Sequence, residues 1–268
     1  MNRITQTLET LKQENKKALV SYIVNGDPTP EITIPAMHSL VESGADIIEL
    51  GVPFSDPMAE GPVIQRGHER ALTHGTSLLG TLDIVRTFRE TNKFTPVVLM
   101  GYANPVIRMG FAEFAKNAAE AGVDGLLTVD LPPEEAGKLD EELQAVDIKN
   151  IFLVAPTTTE ERIKEITAAA SGFVYYVSLK GVTGAGHLDV SSIKSQVDTI
   201  RKYTSLPILV GFGIKDATSA KAVSELADGV VVGSILVKEM GESYSGSQKK
   251  VLESLKNIVH PIRAGLDN

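Results

Sequence analysis

The stretch Gly44-Ala-Asp-Ile-Ile-Glu-Leu-Gly51 indicates a junction between a helix and a buried strand. A glycine ends the preceding helical pattern, an aspartate follows two residues later, and an apolar run then begins. The same order recurs at residues 122–129 and, with leucine in place of the first glycine, at residues 226–233. A helix-to-strand junction that repeats along a chain is typical of parallel βαβ units.

Short apolar runs alternate with helical patterns along the whole chain. We expect eight strands at residues 18–24, 46–51, 96–101, 125–129, 150–155, 172–177, 207–211 and 229–232. Helical patterns lie between them, for example at residues 31–43, 112–121, 134–146, 159–170, 193–203 and 217–226. Eight such units in a chain of this length predict an α/β fold, a (β/α)8 TIM barrel that forms a single domain over residues 1–268.

Both ends of the chain extend this pattern. An extra N-terminal helix near residues 5–14 is expected to cap the bottom of the barrel, and additional C-terminal helices are expected at 235–240 and 248–262. An open doubly wound sheet is the alternative fold. It is disfavoured because no Gly-x-Gly-x-x-Gly sequence follows the first strand.

Composition limits the classes of function. The net charge of −8 disfavours nucleic acid and anionic membranes as partners. The absence of cysteine excludes disulfides, thiolate nucleophiles, zinc–thiolate sites and iron–sulfur clusters. No apolar run reaches the ~18–20 residues of a membrane span, and the polar N-terminus lacks the apolar segment of a secretory signal. We therefore expect a cytoplasmic protein.

The loop after the second strand carries two acids that suit proton transfer. Glu49 ends the apolar strand, and Glu60 follows eleven residues later in the proline-rich loop 52–62. In (β/α)8 barrels the active site lies at the carboxyl ends of the strands, and an apolar pocket there raises the pKa of a carboxyl group toward neutrality. Both acids are therefore candidate acid/base catalysts. The alternatives are a buried ion pair for Glu49 and a solvated loop carboxylate for Glu60.

The loop after the sixth strand, Ser178-Leu-Lys-Gly-Val-Thr-Gly-Ala-Gly-His187, is typical of an active-site lid. Three glycines in six residues tolerate positive φ and can act as hinges. Thr183 is the candidate to touch a catalytic group or substrate on closure. Lys180 follows a barrel strand and can form a Schiff base with a carbonyl substrate, but an exposed loop lysine is the simpler interpretation.

Glycines at the ends of the seventh and eighth strands predict a phosphate site. The segment Gly211-Phe-Gly-Ile214 ends the seventh strand, and Gly233 with Ser234 ends the eighth, before a short apolar stretch that can begin a helix. Backbone N–H groups and a helix N-terminus at this place often bind phosphate in such barrels. Tight barrel packing is the alternative reason for these glycines. The five histidines show no metal-ligand spacing, so the residues predict a metal-free lyase or isomerase of a phosphorylated small molecule.

The chain resembles the tryptophan synthase alpha-subunit family over essentially its whole length. The resemblance is carried by Glu49-Leu-Gly-Val-Pro-Phe-Ser-Asp-Pro57, which is highly specific, and by Gly-Pro-Val-Ile-Gln65, Leu-Met-Gly-Tyr-Ala-Asn-Pro105, Asp130-Leu-Pro-Pro-Glu-Glu135, Gly181-Val-Thr-Gly184, Gly211-Phe-Gly-Ile214 and Gly233-Ser234. It implies a lyase of tryptophan biosynthesis that cleaves indole-3-glycerol phosphate to indole and D-glyceraldehyde 3-phosphate by a retro-aldol reaction. No metal is implied.

The resemblance also implies roles for individual residues. Glu49 matches the family's essential acid/base, which protonates carbon 3 of the indole ring and takes the proton of the side-chain hydroxyl. Glu60 matches the second acid, which interacts with the indole N–H. The implied substrate-binding residues are Tyr22, Leu99, Tyr102, Leu127, Tyr175, Thr183 and Phe212, and the implied phosphate-binding residues are Gly184, Gly213, Gly233 and Ser234.

A partner is implied as well. Alpha subunits pair with a pyridoxal-phosphate beta subunit in an α2β2 complex, so the resemblance implies no cofactor in this chain and an interface near residues 53–62, 101–110 and 130–133. The chain departs from the family at Glu60, where aspartate is usual, and at Tyr22, where phenylalanine is frequent. A Schiff-base aldolase that uses Lys180 and a regulatory subunit without chemistry remain the competing functions.

Overall fold

A computed structural model of the chain describes residues 1–177, 190–211 and 213–267. Eight parallel strands form a closed barrel in chain order, and the first strand pairs with the eighth. The predicted (β/α)8 barrel is confirmed, and the open doubly wound sheet is wrong. The strands are β1 Ala18–Val24, β2 Ile47–Gly51, β3 Val97–Gly101, β4 Gly125–Thr128, β5 Lys149–Val154, β6 Val174–Val177, β7 Ile208–Gly211 and β8 Gly229–Val232.

Helices surround the barrel and occupy both ends of the chain. Those within the described residues are α1 Arg3–Gln13, α2 Pro30–Glu42, α3 Pro62–Thr73, α4 Leu78–Thr91, α5 Ala103–Met109, α6 Phe111–Ala121, α7 Gly137–Ala145, α8 Glu160–Ala169, α9 Val190–Arg201, α10 Ala217–Ser224, α11 Ser234–Ser243 and α12 Gln248–Leu266. The extra N-terminal and C-terminal helices are therefore confirmed. No helix in the described part of the chain has the length and apolar character needed to cross a membrane.

The strands separate two layers of apolar packing because alternate side chains point to opposite faces. On β2, Ile48 and Leu50 pack in the layer between the barrel and the helices, whereas Ile47 packs inside the barrel. By the same alternation Glu49 faces the interior. Since β2 ends at Gly51, this carboxyl group lies near the carboxyl end of the barrel.

The opposite end of the barrel is closed by α1. Ile4 is fully buried among the interior residues, and the side chain of Asn2 donates to the backbone oxygen of Asp124 at 2.9 Å. The carboxylate of Asp124 in turn binds Arg3 at 2.9 Å and Arg89 at 2.7 Å. Helix α1 and these ion pairs therefore cover the end of the barrel that lies opposite to Glu49.

The β2–β3 connection differs from the simplest barrel pattern because it contains two helices, α3 and α4. Helix α3 begins with Pro62, whose fixed φ suits the first helical turn, directly after the loop that carries Glu60. This helix returns along the barrel wall and packs against α11 and β1. It therefore brings side chains such as His68 next to the loop that precedes it.

Candidate active site

Glu49 is a buried acid that forms no ion pair with any of the described residues. It is 1% exposed and lies in register between Tyr22 on β1 and Val98 on β3. Its Oε2 atom has no hydrogen-bond partner among the described residues, and the buried ion pair considered as an alternative is not formed there. Burial, and after it the charge of Glu60, raise the pKa of Glu49 to about 8. A carboxyl group that is protonated at neutral pH is suited to act as a general acid.

Glu60 shares the environment of Glu49, since its charge acts on the pKa of that residue. Glu60 is half-buried, and burial raises its pKa to about 7. Its backbone is fixed in the loop, because its N–H donates to Pro57 O at 3.0 Å and its carbonyl accepts from Gln65 Nε2 at 2.8 Å. The structure therefore disfavours the solvated loop carboxylate. It places two acids together whose pKa values are both raised toward neutral pH, which suits proton transfer.

The loop between these acids is attached to neighbouring elements at both ends. The N–H group of Ala59 donates to the hydroxyl of Tyr102 at 3.1 Å, and the ring of Phe54 stacks on that of Tyr102 with centroids 4.9 Å apart. The N–H group of Phe54 donates to Nδ1 of His68 at 3.0 Å. Tyr102, predicted to contact substrate, is thus buried at the end of β3 and holds the loop that carries Glu60.

Two buried tyrosines lie beside the acids. A Cβ atom at Gly51 would lie 2.5 Å from the hydroxyl of Tyr22, and one at Gly211 would lie 2.5 Å from the hydroxyl of Tyr175, so both phenols pack against glycines at strand ends. Burial raises the pKa of each tyrosine well above its ordinary value, and the charges of Glu49 and Glu60 raise it further. Both phenols therefore stay protonated next to the acid pair.

One predicted pocket residue, Leu99, faces away from the site. The β2–β3 register pairs Leu99 with Leu50, and both pack in the layer between barrel and helices. Met100 instead pairs with Gly51 and packs with interior residues. Because strand side chains alternate, the prediction of Leu99 was wrong by one position, and Met100 faces the pocket. Leu127 packs inside as expected.

Further apolar residues at the mouth were missed by the sequence analysis. Val129 and Leu153 are half-buried and pack against the same interior cluster as Leu127 and Tyr175. A signal for them was present, because each stands two residues beyond an interior position on its own strand or at its end. Together with Met100 they form an apolar part of the barrel interior near the carboxyl ends of β3, β4 and β5.

The end of β8 has the geometry of an anion site. Gly233 is the residue before helix α11, Ser234 is the exposed first residue of that helix, and a Cβ atom at Gly233 would lie 3.3 Å from Tyr22. Gly213 is exposed with φ at +48°. N–H groups at a helix N-terminus attract anions, so Gly233 and Ser234 are placed where a phosphate can approach. The other predicted residues, Thr183, Gly184 and Phe212, and also Lys180, lie outside the described residues.

The part of the chain that the structure describes contains no cluster of metal-binding side chains. No group of three or more histidine, aspartate or glutamate side chains is arranged there to hold an ion. The chemistry of the described mouth is therefore that of two carboxyl groups, three tyrosines and apolar side chains.

Comparison with known proteins gives one consistent result. A family model described as "Tryptophan synthase alpha chain" matches residues 8–265. The tryptophan synthase alpha chain of Burkholderia ambifaria (strain MC40-6) is 54% identical over 267 residues, which covers 100% of this chain and 97% of the relative. That of Marinobacter nauticus is 52% identical and covers 100% of this chain and 99% of the relative.

Solved structures agree with this result. The alpha subunit from Legionella pneumophila str. Paris superposes with a TM-score of 0.93 at 47% identity, covering 100% of this chain and 99% of that one. A chain of tryptophan synthase from M. tuberculosis in its aminoacrylate-bound form gives a TM-score of 0.88 at 34% identity, covering 99% and 100%. The similarity extends over the whole length of each chain.

Proposed function

Because the chain belongs to the tryptophan synthase alpha chain family, we propose that the mouth of its barrel, with Glu49 and Glu60, is the active site for the family's reaction. This family cleaves indole-3-glycerol phosphate to indole and glyceraldehyde 3-phosphate in tryptophan biosynthesis. The chain is accordingly a lyase. The observation that carries the proposal is the pair of enclosed acids, Glu49 with a pKa of about 8 and Glu60 with a pKa of about 7.

Glu49 is proposed to move the proton on which the reaction depends. Indole is a poor carbanion leaving group, so carbon 3 of the ring must be protonated before the bond to the side chain can break. The protonated carboxyl group of Glu49 donates to carbon 3, and the resulting carboxylate accepts the proton of the side-chain hydroxyl. As the carbon–carbon bond breaks, its electron pair passes to the ring, and glyceraldehyde 3-phosphate leaves as the aldehyde.

Glu60 is proposed to stabilise the charge that develops during this step. Protonation of carbon 3 places positive charge on the ring nitrogen, and a carboxylate next to the N–H group lowers the energy of that state. With a pKa of about 7, Glu60 is about half ionised at neutral pH. Glu49 is the more deeply buried of the two acids, so the proton donor is assigned to Glu49 and the stabilising carboxylate to Glu60.

The remaining residues are proposed to bind the two ends of the substrate. Tyr22, Met100, Leu127 and Tyr175 surround the indole ring, and Tyr102 holds the loop that covers it. The phosphate lies at the N-terminus of α11, bound by Gly213, Gly233 and Ser234. Thr183, Gly184 and Phe212 remain predictions for the lid, the phosphate site and the indole pocket, respectively.

A beta subunit is the proposed partner, in an α2β2 complex, with pyridoxal phosphate bound only by that subunit. Two exposed apolar side chains in the predicted interface segments support this, Met58 at 78% and Ile107 at 54% exposure. Asp130 accepts a hydrogen bond from Ala103 N–H at 2.7 Å and so joins two of these segments. A single domain over residues 1–268 and a cytoplasmic location stay predictions.

The test is release of glyceraldehyde 3-phosphate from indole-3-glycerol phosphate by the purified chain, alone and with the beta subunit of the same source. Glu49→Gln should reduce the rate to background in both settings, whereas Glu90→Gln, a neutralised exposed glutamate on α4, should leave it unchanged. Full activity of Glu49→Gln would contradict the proposal. Borohydride trapping on Lys180, with loss of activity in Lys180→Ala, would favour the Schiff-base alternative, and an inactive parent chain that still activates the beta subunit would favour a regulatory role.

A further inference from the structure

His68 connects the loop of the acid pair to a tyrosine of the pocket, although it belongs to neither. It lies on α3 and is 2% exposed. Its Nδ1 atom accepts a hydrogen bond from Phe54 N–H at 3.0 Å, and its Nε2 atom lies 3.4 Å from the hydroxyl oxygen of Tyr22. Nothing in the sequence motifs assigns it a role.

The direction of these hydrogen bonds follows from the first of them. A backbone N–H can only donate, so Nδ1 of His68 must be the unprotonated nitrogen. Burial lowers the pKa of His68 to about 4, which keeps the ring neutral near pH 7. The single ring proton is then on Nε2 and is donated to the oxygen of Tyr22.

Tyr22 is thereby left with its own hydroxyl hydrogen to donate elsewhere. Its ring lies on the interior face of the barrel, where its register neighbour is Glu49, and Oε2 of Glu49 has no partner among the described residues. The titratable groups whose charges act on Tyr22 are Glu60, Glu49, Tyr175 and Tyr102. Arg70 on α3 forms a bidentate pair at 2.6 and 2.9 Å with Asp27, which follows β1, so these two charges compensate each other.

We propose that His68 is a positioning residue, which acts through Tyr22 to hold a hydroxyl donor toward the Glu49–Glu60 pair. This inference rests on the proposed function of the two acids. When Glu49 has given up its proton, a hydroxyl donor held next to it can bind the unpartnered Oε2 atom and stabilise the ionised carboxylate. This opposes the effect of burial and allows the proton to leave and return near neutral pH. Because His68 also binds Phe54, the donor is linked to the position of the loop that carries Glu60.

The experiment is a double-mutant cycle on Tyr22→Phe and His68→Leu, with indole-3-glycerol phosphate as substrate and the beta subunit present. Rates are measured across pH so that kcat and KM are separated, and thermal unfolding shows that each variant is folded. His68→Asn is added because its amide oxygen can still accept from Phe54 N–H, whereas its shorter side chain has no donor that reaches Tyr22. Tyr175→Phe, alone and with His68→Leu, is the matched control, because it removes a buried hydroxyl that faces the same acids without the link to His68.

In Tyr22→Phe the pH profile of kcat/KM should move upward by about one pH unit and kcat should fall about 10-fold, because an ionised group loses a hydrogen-bond donor. His68→Leu and His68→Asn should move the profile in the same direction, and His68→Leu should add no further shift once Tyr22 is phenylalanine. In the Tyr175→Phe background, by contrast, His68→Leu should still move the pH profile. Unmoved profiles in folded Tyr22→Phe, or an equal His68→Leu shift in both Tyr22 backgrounds, would overturn the inference. Activity in Glu49→Gln would instead overturn the proposed function.

Discussion

Replacing Glu49 with glutamine should stabilise the barrel near neutral pH while it removes the lyase activity. The side chain is buried, its Oε2 atom lacks a hydrogen-bond partner among the described residues, and its pKa is raised from 4.5 to about 8. An acid whose pKa is raised by folding destabilises the native state once the pH exceeds the unfolded value, because only the unfolded chain can release the proton freely.

The magnitude follows from the two pKa values. Below pH 4.5 both states hold the proton, and the group has no effect of this kind. Between pH 4.5 and about 8 the loss of folding stability caused by this group grows with pH. Each pKa unit corresponds to about 1.4 kcal/mol. At pH 7 the free energy of unfolding is therefore lowered by about 3 kcal/mol through ionisation of Glu49 in the unfolded chain. A glutamine of similar shape does not titrate and lacks this cost.

The assay is urea unfolding of the parent and Glu49→Gln at pH 4, 5.5, 7 and 8, with Glu90→Gln as the control for loss of one negative charge. The advantage of Glu49→Gln over the parent should grow from pH 4 to pH 8, whereas the control should show a difference that changes little with pH. Comparing one variant across pH separates ionisation from the fixed cost of burying an amide. A difference that is independent of pH would refute the reasoning, since it would mean that folding does not raise the pKa of Glu49.

Four further variants test the geometry of the site. Glu60→Asp retracts the carboxylate by roughly 1.5 Å and should lower kcat about 10- to 100-fold, so a strong increase in turnover would contradict the view that the pocket is set for glutamate. Leu99→Ala should cost about 2–5 kcal/mol in urea unfolding with little change in KM, because its side chain packs against the helices. Met100→Ala should raise KM with a smaller loss of stability. A raised KM in Leu99→Ala together with an unchanged KM in Met100→Ala would instead indicate that Leu99 lines the pocket. Gly211→Ala places a Cβ atom 2.5 Å from the hydroxyl of Tyr175 and should raise KM by displacing that ring, which substrate titrations will show.

The barrel and the acid pair were accessible from the amino-acid sequence by itself, because both depend on local pattern. Each β unit is an apolar run bounded by a turn and a helical pattern, and the limits of β1 and β8 agree with the expected ones to the residue. Glu49 was recognisable because a carboxyl group at the end of such a run is expensive unless it is used. The glycines after β7 and β8 were predicted to bind an anion because an anion needs close approach to the backbone.

Only the tertiary structure decided which side chains meet. Leu99 and Met100 are adjacent and both apolar, so the register of β3 against β2 determines which of them points into the barrel. His68 contacts Phe54 and Tyr22 across 14 and 46 residues of sequence, and no local pattern encodes such a contact. The raised pKa values of Glu49 and Glu60 likewise follow from burial, to which the charge of Glu60 adds at Glu49. Local interactions decide where strands and helices form, whereas enclosure and proton affinity arise only when distant segments pack together.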